Sequence, residues 1–482
     1  MKKSEDRFQV YQRILNKRPE YLTAIRKTEE ALMPKEALGT GEVLKPKEVL
    51  GTGEVLEPEL STRIYLYTMV PALIEFVNWV LDEAVQSGKK RLYFLSRDGY
   101  QMYLTACRLT KLRGIEMDCR YLHVSRYSMR VPSYHLELEN CLDLICVGGI
   151  DVTLEKILRR TALSTEEAAE VIYSIGWQDK YNKILNYRQV QELKQILRCK
   201  KKLLHYIDKH SREAYENAMG YLAQEGLLSE VPYALVDSGW VGTLQQSVER
   251  LIHSKKEDIR VEGYYFGLYE LPKDVDATTY HAWYFTPDSG LVRKVHFSNS
   301  LFETICSAGE GMTEGYDWEG RRYLPVLGPS GNPNGEQMRR NAEALDVFLK
   351  YNGEAAIPGS GHNGERTGSC RRLVQRLFDK MMANPTELEV EAYGNNLFSD
   401  DVVDRNWKQV AAELSEEQIK DQRLLHKLWI LAGCRRADIH ESAWIEGSIV
   451  RCGGRRMKRN LLHARFYKYF VYARKQIRVR KK

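Results

Sequence analysis

The sequence predicts an α/β protein: a parallel sheet with helices between its strands, followed by a mainly helical C-terminal region. Three observations predict it. Short apolar runs at 92–96, 120–124, 233–236 and 260–269 alternate with stretches of helical periodicity. The first three runs give way to polar residues, at Ser96, Ser125 and Asp237. Helical stretches also separate the strands in order, which calls for parallel pairing with right-handed crossovers. In such a sheet the strand ends share one edge, so residues far apart in sequence can meet there.

A chain of 482 residues has room for two or three domains and a sizeable core. Its 43% hydrophobic and 28% charged residues are ordinary for a globular protein. The nine cysteines form no CxxC pair. This argues against a disulfide framework or a structural zinc site and fits a reducing, cytoplasmic setting. Met1 to Glu29 is charged and mixed, so no secretory leader is expected. Ile64 to Leu81 is apolar enough to suggest a membrane span, but Pro71, Glu75 and Asn78 near its middle favour a buried amphipathic helix. The formal charge of +7 is uneven: from Gly447 onward there are thirteen Arg and Lys and no acid, on an otherwise mildly acidic chain.

Residues 1–33 read as polar helix. A twelve-residue unit starting at Pro34 then repeats from Pro46, most simply as a duplicated linker. Its Gly39-Thr-Gly41 lacks the lysine and hydroxyl of a phosphate loop. The expected units are 1–60, helix and linker; 61–310, the α/β domain; 311–450, mainly helical; and 451–482, a basic aromatic tail. Within the second unit, helix 68–87 ends at Ser87-Gly88, and helix 101–113 follows the first strand. Residues 136–230 form a helical insertion of the kind that caps a site beside a sheet edge. Helix 244–253 follows the third strand. Gly309 to Asn334 is a Gly/Pro-rich loop, helical periodicity returns at 342–350, 371–383 and 405–432, and 351–368 reads as a mobile loop.

Two stretches carry the chemistry. Ser96-Arg97-Asp98-Gly99 places a hydroxyl, a cation and a carboxylate between a strand end and a helix start, where an anion is favoured. Asp237-Ser-Gly-Trp-Val-Gly-Thr243 sets a carboxylate and a glycine-rich turn before the next helix, a cradle for a metal or a phosphate. Each also reads as an ordinary turn with a salt bridge or cap. Their shared sheet edge favours the functional reading. A literal Asp-x-Asp-x-Thr at Asp274–Thr278 follows a charged run, not a buried strand, and is read as chance. The eleven histidines show no metal-ligand spacing, and no Gly-x-Ser-x-Gly elbow occurs. The tail, with Phe466, Tyr467, Tyr469, Phe470, Val471 and Tyr472 among its basic residues, suits an anionic membrane surface, a nucleic acid, or packing on the body.

Taken together, Tyr93–Gly99, Tyr121–Arg126, Val236–Gln245, Gly263–Leu268 and Ala443–Ser448 resemble the block pattern of predicted hydrolases of the haloacid dehalogenase superfamily. These are bacterial proteins associated with surface-polysaccharide and glycosyltransferase systems. The resemblance spans roughly residues 65–450. It implies a Rossmann-like parallel sheet with a helical cap and Mg²⁺-assisted phosphoryl transfer through an aspartyl nucleophile.

By the resemblance, Asp98 and Asp237 are the catalytic and magnesium-holding acids. Ser96 is the strand-end hydroxyl that takes the phosphoryl group, and Lys209 is the basic residue ahead of the late strand. Arg97, Gly99, Ser125, Arg126, Gly242 and Thr243 complete the anion site on the shared edge. The family's Asp-x-Asp is absent, since aligning Ser96-Arg97-Asp98 on it puts serine at the nucleophile position; either the chain is a non-catalytic relative, a pseudo-hydrolase that binds the ligand, or Asp98 is the nucleophile in an altered arrangement. The expected ligand is a phosphorylated sugar or nucleotide. The expected setting is cytoplasmic, at the inner face of a membrane reached through 455–482, with a glycosyltransferase partner and no nucleic acid. Two other readings stay open: a phosphoribosyltransferase-like enzyme, and a non-enzymatic binding or scaffold module.

Overall fold

The computed structural model describes residues 6–33, 59–149, 151–329, 331–357, 363–399, 401–403, 406–431 and 440–480. The duplicated unit at 34–57 lies outside them.

Five strands, β1 (Arg91–Leu95), β2 (Asp118–Leu122), β3 (Tyr233–Trp240), β4 (Glu262–Leu268) and β5 (Tyr280–Phe285), form one sheet in the order β2-β1-β3-β4-β5. Every pairing is parallel: Tyr93 lies opposite Arg120 on one side and Leu235 on the other. The mixed α/β class expected from the sequence is therefore present.

Alternation along each strand sorts the side chains to two faces. Leu92, Phe94, Ala234 and Val236 join helices Leu60–Gln86 and Tyr100–Arg113 on one face. Tyr93, Leu95, Tyr233 and Leu235 join helices Lys201–Gln224 and Thr243–His253 on the other. Both faces are covered, which is why these strands read as continuous apolar runs.

Several expectations need correcting. β5 escaped the sequence reading because Tyr280–Phe285 follows a charged loop. That loop holds Asp274–Thr278, where Asp276 accepts a hydrogen bond from the Thr278 N–H as a local turn. The Gly/Pro-rich stretch after 309 contains an antiparallel hairpin, β6 (Thr313–Glu319) and β7 (Arg322–Leu327). Its sequence signal is weak because much of it is solvent-facing, but Tyr316 stacks on Tyr221 at 4.3 Å and fastens it to helix Lys201–Gln224. Residues 406–415 are not helical: Lys408–Gln409 pairs with Leu397–Phe398. Residues 363–368 belong to helix Asn363–Phe378.

Helix Leu60–Gln86 is the only described helix long and apolar enough to cross a membrane, and its apolar window is wholly buried. Glu75 within it accepts from Arg18 at 2.8 Å and Tyr21 at 3.1 Å, so its charge is paired. The apolar cluster around this helix runs from Tyr11 to Ala464. Arg7 and Tyr11 meet Glu389 at 2.7 and 2.6 Å, tying an early helix to a late one. Helices between Cys141 and Arg198, with Leu203 and Ile207, bury a cluster of their own.

Candidate functional site

A strand order of 2-1-3-4-5 reverses direction between β1 and β3, and the crevice outside the strand ends at such a reversal is where ligands bind in open parallel sheets. A cavity of about 440 Å³ opens there. Its lining includes Ser96, Arg97, Asp98, Ser125, Arg126, Asp237, Gly242 and Thr243, so eight of the ten residues singled out from the sequence meet in one place.

The turn that presents Asp98 is tight. The Gly99 N–H donates to Leu95 O at 2.8 Å, and a Cβ on Gly99 would come within 2.6 Å of that same oxygen. Gly99 thus shapes the site without lining it. The second turn leaves β3 through Gly242, whose φ of +75° suits glycine and whose α-carbon packs against the Tyr280 ring. Helix Thr243–His253 starts directly behind it with no side chain capping its first turn, and Thr243 and Leu244 line the cavity. Uncapped N–H groups facing a cavity attract an anion.

The two turns are joined by the Ser238 hydroxyl, which donates to Asp98 Oδ2 at 2.7 Å. A third acid completes the group. Glu303, on helix Asn299–Cys306, accepts from the Trp240 indole N–H at 2.5 Å. Burial pushes the Asp237 carboxyl up to about 7, with the Asp98 charge adding to the effect and the Ser238 and Gly239 N–H groups opposing it. Burial, then Asp98, also holds Glu303 well above the usual carboxylate range, against the Trp240 bond and Arg126. Both acids sit deep in the molecule yet keep part of the side chain open to the cavity.

An acid whose pKa rises on folding keeps its proton where the unfolded chain has lost it. Stability then falls as pH rises between the two values. For Asp237 that window runs from about 4 to about 7. In chelator-treated protein, unfolding free energy should therefore drop across this window, by up to about 4 kcal/mol from Asp237 alone at about 1.4 kcal/mol per unit. Asp237→Asn should flatten the profile. A wild-type profile that is level from pH 4 to 8 would show that these carboxylates ionise freely.

Some expected roles shift. The Ser96 hydroxyl donates to Val124 O at 2.8 Å and accepts from the Val124 N–H at 3.0 Å, pinning the ends of β1 and β2. The Ser125 hydroxyl donates to Thr313 O at 2.6 Å and caps the short helix Arg126–Arg130. Both serines line the cavity, but with their hydroxyls committed to backbone. Lys209 is not brought to the site: it is exposed on helix Lys201–Gln224 near Glu167. Chain order could not place it, because the half of that helix which covers the sheet begins later.

The insertion does not line the cavity either. The far wall comes from Asn332, Asn334 and Met338, with Phe398, Asp401 and Trp407 beyond them. The insertion reaches that wall at one remove: buried Arg160 bonds Asp401 at 3.3 Å and the Ile145 and Val147 carbonyls. Its apolar faces are spent on its own cluster.

Sequence reasoning missed Glu303 and Trp240. A signal for Glu303 was present: one acid in a helix otherwise without charge, beside Leu301, Phe302, Ile305 and Cys306, is expensive unless it serves a site.

Asp98 and Asp237 are oxygen donors of the kind Mg²⁺ takes, and Mg²⁺ commonly uses one or two carboxylates plus water and substrate phosphate. Among the described residues no group of three His, Cys, Asp or Glu side chains is arranged to hold a metal. Against known proteins, no family model matches the chain and no curated protein matches it.

Proposed function

We propose that the chain is a haloacid-dehalogenase-like hydrolase that acts with Mg²⁺ on a phosphorylated sugar or nucleotide in polysaccharide biosynthesis. On this reading the sheet is Rossmann-like and the helical insertion at about 136–230 is its cap, reaching the cavity wall through the Arg160–Asp401 bond and not lining the cavity itself. The observation that carries it is the meeting of Asp98 and Asp237 at the β1/β3 reversal, joined through Ser238 and open to a cavity of ligand size. Magnesium, held by Asp98 and Asp237, would neutralise phosphate charge there.

Asp98, the single acid of the Ser96-Arg97-Asp98 turn, is the nucleophile. Its carboxylate attacks phosphorus, the phosphate–oxygen bond to the leaving alcohol breaks, and water then hydrolyses the acyl phosphate. Glu303 keeps its proton at neutral pH because of its burial and can give it to the departing oxygen. The uncapped first turn of helix Thr243–His253 and Arg126 receive phosphate oxygens. The test is a screen of sugar phosphates and nucleotides, with and without Mg²⁺, described in the Discussion.

A second role, contact with an anionic membrane surface, is favoured by the last helix, Met457–Arg480. Leu461, Ala464 and Tyr472 turn inward, Tyr472 stacking on Tyr269 at 5.1 Å. Leu462, Phe466, Phe470 and Ile477 are 43–55% exposed and recur at helical spacing on the outer side. Arg and Lys flank that stripe, with no acid on the helix. Apolar residues bordered by cations are the pattern of a helix that lies in a lipid interface. The full chain should pellet with vesicles containing phosphatidylserine and less so with neutral ones or at high salt. Phe466→Ser with Phe470→Ser should cut binding at least about tenfold, given roughly 1.5–3 kcal/mol per buried Phe. Equal pelleting of the double variant would remove the stripe from the reading.

A further inference from the structure

Glu303 is not alone on the side of helix Asn299–Cys306 that meets the cavity. Asn299, Glu303 and Ser307 recur at helical spacing, so they form one line with about 5–6 Å between neighbours. Ser300 stands beside that line, and all four residues line the cavity. The Ser307 N–H donates to Glu303 O at 3.1 Å, so the spacing holds to the end of the line although the helix stops at Cys306. The rest of the helix is spent on the core, through Leu301, Phe302, Ile305 and Cys306.

Glu303 has a partner within this line's reach, the Trp240 indole. Its neighbours do not. Among the described residues, the Asn299 amide and the Ser300 and Ser307 hydroxyls make no hydrogen bond, and none of these atoms is sealed off. Ser300 is 7% and Ser307 4% exposed, and both line the cavity. Polar groups placed so deeply are bonded as a rule. These keep donors and acceptors in hand on either side of the acid that protonates the leaving oxygen.

Their chemistry narrows what they can hold. The line carries no cation, and the Asp98 and Asp237 charges already bear on Glu303, so a further anion is disfavoured there. It carries no aromatic ring, and a nucleobase is held by stacking between aromatic or apolar faces. An amide and two hydroxyls, which between them donate and accept, match a neutral ring bearing several hydroxyls.

We propose that this line reads the leaving alcohol as a sugar ring. Asn299 and Ser307 bond ring hydroxyls on either side of the oxygen that Glu303 protonates, and Ser300 adds a third contact. This rests on the hydrolase reading of the cavity. Two sources offer such a ring, a hexose phosphate and the ribose of a nucleotide.

The test is steady-state turnover of the full chain with Mg²⁺ on hexose phosphates, on AMP, and on p-nitrophenyl phosphate, whose leaving group has no further hydroxyl to bond. Asn299→Leu should lower the ratio of kcat/KM on the best hydroxylated substrate to kcat/KM on p-nitrophenyl phosphate at least tenfold, mainly through KM. Ser307→Ala should lower the same ratio at least threefold. Neither residue caps the helix start, which Ser298 holds through the Leu301 N–H. Should Asn299→Leu fail to fold, Ser307→Ala, which removes one oxygen, carries the test. Hexose phosphates ahead of AMP identify a free sugar as the source of the ring, and AMP ahead of hexose phosphates identifies ribose. Folded variants that keep the wild-type ratio overturn the sugar reading of the line alone, as does a wild type that turns over p-nitrophenyl phosphate and no hydroxylated substrate. A wild type that turns over none of them overturns the hydrolase reading and this one with it.

Discussion

Asp98→Asn should reduce Mg²⁺-dependent phosphatase turnover by about three orders of magnitude or more, the scale on which loss of an enzymic nucleophile is felt. The fold should survive. Asn is isosteric with Asp, and its carbonyl oxygen can still accept the Ser238 hydroxyl that now meets Asp98 Oδ2. The turn itself is held by the Gly99 N–H to Leu95 O bond, which the substitution does not touch. Unchanged circular dichroism with abolished turnover would make the chain a hydrolase whose nucleophile is the last acid of its turn. Equal silence from wild type and variant across sugar phosphates and nucleotides would end the hydrolase reading for those compounds. Binding of a diphosphorylated ribose without phosphatase activity would then select a transferase. Neither activity, with vesicle binding retained, would select a scaffold.

Phe266→Ala should cost about 3–5 kcal/mol of stability, measured by urea unfolding. Phe266 is fully buried on β4, and its ring lies within 4.7–6.2 Å of Phe76, Trp283, Tyr284, Phe297, Phe302 and Phe378. Those rings come from the long helix Leu60–Gln86, from β5, from the segment beside the site and from helix Asn363–Phe378. Truncation leaves a cavity that so many separate elements cannot close together. Phe302 is the nearest, at 4.7 Å, and immediately precedes Glu303. The variant should therefore also loosen the helix that presents Glu303, and any turnover should fall with stability. A loss under about 1 kcal/mol would mean that the cluster repacks freely.

The sheet was legible where burial is two-sided. β1 and the start of β3 are buried apolar runs stopped by polar turns, while β2 is a half-buried edge strand; their common edge follows from parallel pairing. The same logic places Asp98, Arg126, Asp237 and Thr243 on one edge from the sequence alone. What stayed hidden depended on long-range packing. Glu303 reaches the site through a helix that follows β5, a strand its charged approach concealed. The wall residue Asp401 lies outside every periodic stretch and is held by Arg160 from the insertion. Ser96 and Ser125 show the opposite limit: their positions were right, but only geometry reveals that their hydroxyls serve the backbone.

Strand β1 is flanked by β2, which follows it closely, and by β3, which follows only after the whole helical insertion. During synthesis on a ribosome this order matters. When β1 and β2 emerge, one side of β1 presents bare N–H and C=O groups and the apolar faces of Tyr93 and Leu95. Its partner arrives well over a hundred residues later, on the order of ten seconds at ordinary elongation rates. The insertion, with its own apolar cluster, can condense in that interval and keep its share of the chain out of trouble. The nascent β1 edge cannot, and the Arg7–Glu389 link must wait longer still. Chaperone demand in this protein should thus be concentrated in a single translational window, between the exit of β1 and the exit of β3.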